Sequence, residues 1–169
     1  MSFREIHVKD MENAVKMIGD DWMLITAEKA DGTVNTMTAS WGFLGVLWNK
    51  PVCAVFIRPQ RYTLSFVEEA ERLSLTFFDE TMRGALRLCG TKSGRYMDKI
   101  AEAGLTVVHN ENGTPYFEQA KTVAICRKLY ADFLKPECFL DRSVAEINYP
   151  KEDYHKVFIC EIEQVLVKE

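Results

Sequence analysis

The sequence predicts a mostly β protein, a small β-barrel with peripheral helices. Three observations carry that reading. Short apolar, strand-like runs dominate, segments with a helical period are few and brief, and no alternating strand–helix pattern or internal repeat is visible. No Pro- or Gly-rich linker divides the 169 residues, so a single domain over residues 1–169 is expected, long enough to bury a sizeable core.

In chain order, Trp22 to Lys29 reads as a strand, and Asp31-Gly32 is a hairpin-turn signal. The returning strand, Thr33 to Thr38, opens into a small polar segment, Asn35 to Ser40, ahead of Trp41. Gly42 and Gly45 relax the backbone of an unusually apolar loop, Gly42 to Trp48, before Pro51 starts the next strand, Val52 to Ile57. Thr63 stands where a helix N-cap belongs, ahead of a helix beginning at Leu64. Leu73 to Phe78 is another strand, and Asp79 is placed to cap a helix that stops at Gly90. A short helix, Tyr96 to Ala103, ends at Gly104. Asn112-Gly113 marks a hairpin between Leu105 to His109 and Tyr116 to Phe117, and Val123 to Phe133 and Val157 to Val167 are long strands.

Hydrophobic content of 47% and charged content of 27% are ordinary for a soluble globular protein. A formal net charge of −4 argues against a general nucleic-acid binder, which needs clustered cations. No apolar run approaches the roughly 20 residues that span a bilayer. The N-terminus is charged from Arg4 and lacks a signal-peptide core, so a cytoplasmic location is expected. Five cysteines without a CxxC pair do not support a zinc ribbon or a dithiol motif. Cys53, Cys126 and Cys160 lie in apolar runs and read as reduced structural thiols, whereas Cys89 and Cys138 read as exposed. His7, His109 and His155 show no metal-ligand spacing, and no metal is expected. Neither a G-x-S-x-G elbow nor a G-x-G-x-x-G fingerprint is present.

Two adjacent segments suggest chemistry. Asn35, Thr38, Ala39, Ser40 and Trp41 can offer hydroxyls and backbone N–H groups to a planar polar ring, or they are a solvated strand end beside a core aromatic. Arg58, Arg61, Tyr62 and Thr63, at a strand end, can cradle a phosphate with two guanidiniums and a helix start, or they are surface charges of little energetic value. A third run, Ser93-Gly94-Arg95-Tyr96-Met97-Asp98-Lys99, reads equally as a turn followed by a charged helix face.

The N-x-M-T-x-S-W order from Asn35 to Trp41, the R-P-x-x-x-T order from Arg58 to Thr63 and the S-G-R-x-x-D-K run from Ser93 to Lys99 together resemble the flavin reductase-like family of FMN-binding split barrels, including its flavoredoxin branch. Asp153 to Glu163 is similar to a looser version of the family's closing D-H-x-x-x-x-G-E strand, with Tyr154 inserted before His155 and Cys160 in place of Gly. The resemblance implies FMN as cofactor, with Asn35, Thr38, Ala39, Ser40 and Trp41 at the ring and Arg58, Arg61, Tyr62 and Thr63 at the phosphate. It also implies Ser93, Gly94, Arg95 and Lys99 in a loop closing over the tail, and His155 near the nicotinamide or the flavin edge. NAD(P)H is implied as a transient co-substrate stacked on the flavin, with electrons passed to free flavin, an iron complex or a partner protein. The rival reading is a flavoredoxin-type carrier without significant NAD(P)H turnover. A homodimer is expected, in which Trp48 covers the flavin of the neighbouring subunit.

Overall fold

A computed structural model describes residues 3–11 and 13–169. Its strands are β1 (Phe3–Ile6), β2 (Met23–Glu28), β3 (Val34–Ala39), β4 (Gly42–Leu47), β5 (Lys50–Ile57), β6 (Arg72–Phe77), β7 (Val107–His109), β8 (Pro115–Phe117), β9 (Thr122–Phe133) and β10 (Lys156–Lys168). Eight of them form one sheet in the order β3-β2-β6-β9-β10-β5-β4, with β1 laid on β10, while β7 and β8 make a separate hairpin. Every pairing is antiparallel.

The connection between β3 and β4 dictates the shape. These strands lie at opposite ends of the seven-strand path, yet only Ser40 and Trp41 join them. Laid flat, the path would separate its edges by about 29 Å at ordinary strand spacing. Two residues between Ala39 and Gly42 reach at most about 11 Å. The sheet must therefore roll until its two edges nearly meet, which makes a barrel with a seam at Ser40–Trp41. Gly42 permits the corner: a Cβ there would meet the Ala54 carbonyl oxygen at 2.9 Å and Met23 Cε at 3.2 Å.

Strand alternation then sorts the core. Met23, Ile25 and Ala27 of β2, Leu73, Leu75 and Phe77 of β6, and Ala124 and Cys126 of β9 fill the barrel, together with Cys53 and Cys160. The opposite faces of β2 and β9 supply Leu24, Val123 and Ile125 to a second cluster with Leu86, Cys89 and Phe117. That cluster lies beneath the β7–β8 hairpin and a helix, α3, over Arg83–Thr91. Helical pieces cover the barrel at α1 (Ala14–Lys16, running on as a π-turn to Asp21), α2 (Thr63–Glu69), α4 (Lys99–Glu102) and α5 (Arg142–Asn148).

Several local expectations are corrected. The apolar stretch from Gly42 is strand β4, turning at Trp48 and Asn49, both at positive φ (54° and 57°), into β5, which already contains Pro51. The helix expected from Leu64 begins at Thr63, which is buried and makes no cap bond; Asp79 does not cap through its side chain either, because a 3-10 turn, Glu80–Met82, precedes α3. The helix expected from Tyr96 forms only over Lys99–Glu102, where the Asp98 side chain accepts from the Ala101 amide. Cys89, on the inner face of α3, is fully buried, not exposed, and burial pushes its thiol up, away from the reactive thiolate. Strand β1 and helix α5 had no counterpart in the sequence reading.

Candidate functional site

The three polar segments converge at one end of the barrel. Asn35 of β3 donates through Nδ2 to Thr63 Oγ1 at 3.0 Å, and both side chains are buried. Gly94 lies against the same Asn35: a Cβ at Gly94 would come within 2.4 Å of Asn35 Oδ1, so the loop's approach requires glycine. The Thr38 hydroxyl, one turn of strand further, donates to the Leu86 carbonyl of α3. A residue from each of the three segments therefore meets within one packed unit, and the seam residues follow directly.

A cleft of about 210 Å³ opens at this seam, lined by Met37, Thr38, Ala39, Ser40, Trp41, Phe56, Arg58, Arg61 and His155. Past Trp41 it shares Ser40 and Phe56 with an apolar groove of about 530 Å³ that runs over Ile18, Phe43, Leu44 and Tyr149. The flat, aromatic part of the site is thus continuous with the exposed face of β4.

Cations gather beside the cleft. Lys99 is only 3% exposed, and its ammonium donates to the carbonyls of Cys89 (3.1 Å) and Lys92 (3.2 Å). Arg61 donates to the neighbouring Gly90 carbonyl at 2.9 Å. Arg95 lies over the Tyr62 ring, 5.1 Å from its centroid. Among the described residues, none of these three cations forms an ion pair with a carboxylate, although ion pairs occur elsewhere on the surface. Burial, with a smaller push from Arg61, lowers the Lys99 pKa to about 8. Burial also lowers that of Arg61. Two poorly hydrated cations without an anionic partner form a site that favours an anion.

Arg58, which also lines the cleft, is paired within the chain. It donates to Asp153 Oδ2 at 2.6 Å and to the Asn148 carbonyl at 2.9 Å, and its guanidinium lies 5.0 Å from the Tyr149 ring centroid. Gln60 donates to the same Asp153 oxygen at 2.7 Å. Arg58 thereby clamps the segment that carries His155 against the end of β5, and Arg58 itself still lines the cleft. His155 is buried, its ring centroid 5.3 Å from that of Trp41, and its Nδ1 is 2.8 Å from the Tyr149 hydroxyl. Burial, then the Arg58 charge, lowers the His155 pKa to about 4. The imidazole is neutral near pH 7.

Of the residues singled out in the sequence, Thr38, Ala39, Ser40, Trp41, Arg58, Arg61 and His155 line the cleft, while Asn35, Thr63 and Gly94 pack against one another outside that lining. Ser93 accepts from the Arg95 amide at 3.3 Å, bending the loop that presents Arg95. Trp48 lies at the tip of the β4–β5 hairpin, 54% exposed and outside the cleft of its own chain. Sequence reasoning missed Met37, Phe56 and Tyr149. Alternation along β5 gives Phe56 the face opposite Val55 and Ile57, but nothing local marks Tyr149.

The chain belongs to the flavin reductase-like family: the sequence model of the flavin reductase like domain matches residues 18–169. Over 100 residues it is 33% identical to an uncharacterized protein of Aeropyrum pernix, a stretch that is 58% of this chain and 37% of that protein. Among solved structures, it is similar to an FMN-binding domain of a flavin reductases-like enzyme from Shewanella baltica OS155, with a TM-score of 0.72 and 14% identity over 98% of this chain and 77% of that one. Flavoredoxin of Desulfovibrio vulgaris (Miyazaki F) superposes with a TM-score of 0.68 and 22% identity, covering 88% of this chain and 69% of the other. These likenesses establish the split-barrel fold expected from the sequence. Among the described residues, no helix is long and apolar enough to cross a membrane, and no cluster of metal-ligating side chains occurs.

Proposed function

We propose that this chain is a flavoprotein oxidoreductase that binds FMN at the barrel seam and takes electrons from NAD(P)H for delivery to free flavin, a small acceptor or a partner protein. The observation that carries the reading is the cluster of Arg61, Arg95 and Lys99, none of them in an ion pair among the described residues, beside an aromatic cleft. A ligand with a flat ring and an anionic tail matches both halves. When bound, FMN would supply the redox chemistry.

The chain's own residues bind, orient and shield. Lys99 of α4 and Arg61 of the β5–α2 loop, both tied to carbonyls at the end of α3, hold the anionic tail, and Arg95 closes over it from the Ser93–Gly94 bend. Ala39 and Ser40 offer backbone N–H groups where β3 leaves the sheet. Trp41 and Phe56 exclude water from the ring, and His155 presents an uncharged imidazole at its edge. Because His155 is neutral near pH 7, it acts as a hydrogen-bonding group and not as a charged acid.

Absorption spectra of the purified protein, before and after incubation with FMN and removal of the excess, test the reading. Retained flavin peaks are expected, with flavin bleaching on anaerobic addition of NADH or NADPH. A protein that retains no FMN overturns the reading. Retained FMN without bleaching favours the flavoredoxin-type carrier, a reading that the flavoredoxin-like fold also supports.

A homodimer is part of the proposal, in a cytoplasmic setting. Among the described residues β4 pairs with β5 alone, and Phe43 (66% exposed), Val46 (77%) and, at its turn, Trp48 are exposed apolar side chains. Such a row of unpaired backbone and apolar side chains favours a second copy of the chain. Trp48 would then reach the partner's cleft. Sedimentation is expected to give a dimer; a monomer with full FMN affinity overturns it.

A further inference from the structure

Tyr149 carries an inference independent of the motif residues. Its hydroxyl is 2.8 Å from His155 Nδ1, and both side chains are 6% exposed. Among the described residues, the imidazole is the hydroxyl's only hydrogen-bond partner. The ring is held in place on two sides, stacked on Tyr154 with centroids 4.8 Å apart and covered by the Arg58 guanidinium. Around His155 lie Trp41 and Phe56 from the barrel, Arg58 from the end of β5, and Asp153 and Tyr149 from its own segment.

We propose that Tyr149 is a positioning residue that donates to His155 Nδ1 and thereby holds the imidazole in its Nε2–H tautomer, with that N–H available to the cleft. A neutral imidazole has one donor and one acceptor nitrogen. Burial keeps His155 neutral and raises the Tyr149 pKa, so the phenol keeps its proton near pH 7. With the opposite tautomer, Nδ1–H would donate to the phenolic oxygen, and the buried phenolic proton would have no acceptor among the described residues. Nε2 has no protein partner among the described residues, and His155 lines the cleft. The site therefore selects a ligand atom with a lone pair at this edge, a carbonyl oxygen or an unprotonated ring nitrogen. That the atom belongs to FMN or to a nicotinamide amide rests on the function proposed above; the tautomer does not.

Long-range proton–nitrogen correlation spectra of the ligand-free, nitrogen-15-labelled full chain near pH 7 test this directly. Only His7, His109 and His155 contribute, and His155→Gln assigns the signal. The expected result is an unprotonated Nδ1 and a protonated Nε2 for His155. An Nδ1–H tautomer or an even mixture overturns the proposal. Tyr149→Phe, which retains the aromatic stack, is expected to lose the single tautomer; a pure Nε2–H ring in that variant also overturns it. Failure of the protein to bind FMN would overturn the flavin reading and leave this result standing.

Discussion

Replacing Lys99 with methionine is expected to weaken FMN binding by roughly 1.5–3 kcal/mol, about ten- to a hundred-fold, the value of a hydrogen bond to a charged group. Methionine keeps the buried volume and removes the charge. The effect should depend on pH in a way that identifies the group. Desolvation lowers the Lys99 pKa to about 8 in the ligand-free protein. An anionic ligand raises it again by favouring the charged form. Affinity in the unmodified protein should therefore fall as pH rises from about 8 towards 10, and the methionine variant should lose this part of the dependence. Titrations of flavin fluorescence quenching at several pH values measure both quantities, with circular dichroism checking that the barrel persists. Equal affinities and parallel pH profiles would move the anion site away from Lys99.

Acid should destabilise the fold before most carboxylates protonate. His155 has its folded pKa near 4 against an ordinary value of 6.5, so the folded protein binds fewer protons than the unfolded chain between those limits. Stability due to this group is complete above about pH 6.5 and is lost as pH falls towards 4. The loss is on the order of 3 kcal/mol. Arg58 holds Asp153 below the usual carboxylate range, with Gln60 contributing the larger share, and so that group acts in a lower window. Urea unfolding at pH 4.5 and 7 should show the difference, and His155→Gln should flatten it. An unchanged slope in that variant would assign the acid sensitivity to other groups.

Much of this was legible in the sequence because alternation is local. The strands β2, β6, β9 and β10 fell near their expected ranges, and Asp31-Gly32 and Asn112-Gly113 turn where such pairs turn, with Gly32 and Gly113 at positive φ. What escaped depends on partners distant in sequence. The apolar stretch from Gly42 becomes β4 because β5 pairs with it, and its poor alternation follows from exposure on the outer edge. Cys89 is buried because the apolar face of its own helix, α3, meets Leu24 and Phe117, residues far along the chain. Arg58 is expected at a phosphate from its spacing to Arg61 and Thr63 and from the family resemblance; its pairing with Asp153, 95 positions later, could not be read from local sequence. Thr63 is expected at a helix N-cap, but it lies inside the first turn of α2. Its hydroxyl accepts from Asn35, tying β3 to α2 instead of capping a helix.

The two-residue link at Ser40–Trp41 also governs when the cleft can exist. Its flanking strands are consecutive in sequence but separated by β2, β6, β9, β10 and β5 around the sheet. Neither edge has its final position relative to the other until all five intervening strands have paired. The cleft is complete only in the closed ring, since Phe56, Arg58 and His155 come from the far end of that path. Binding energy collected there is absent from an earlier transition state, so it slows escape from the native state without hastening arrival. A ligand at the seam would serve as a latch on a structure already complete.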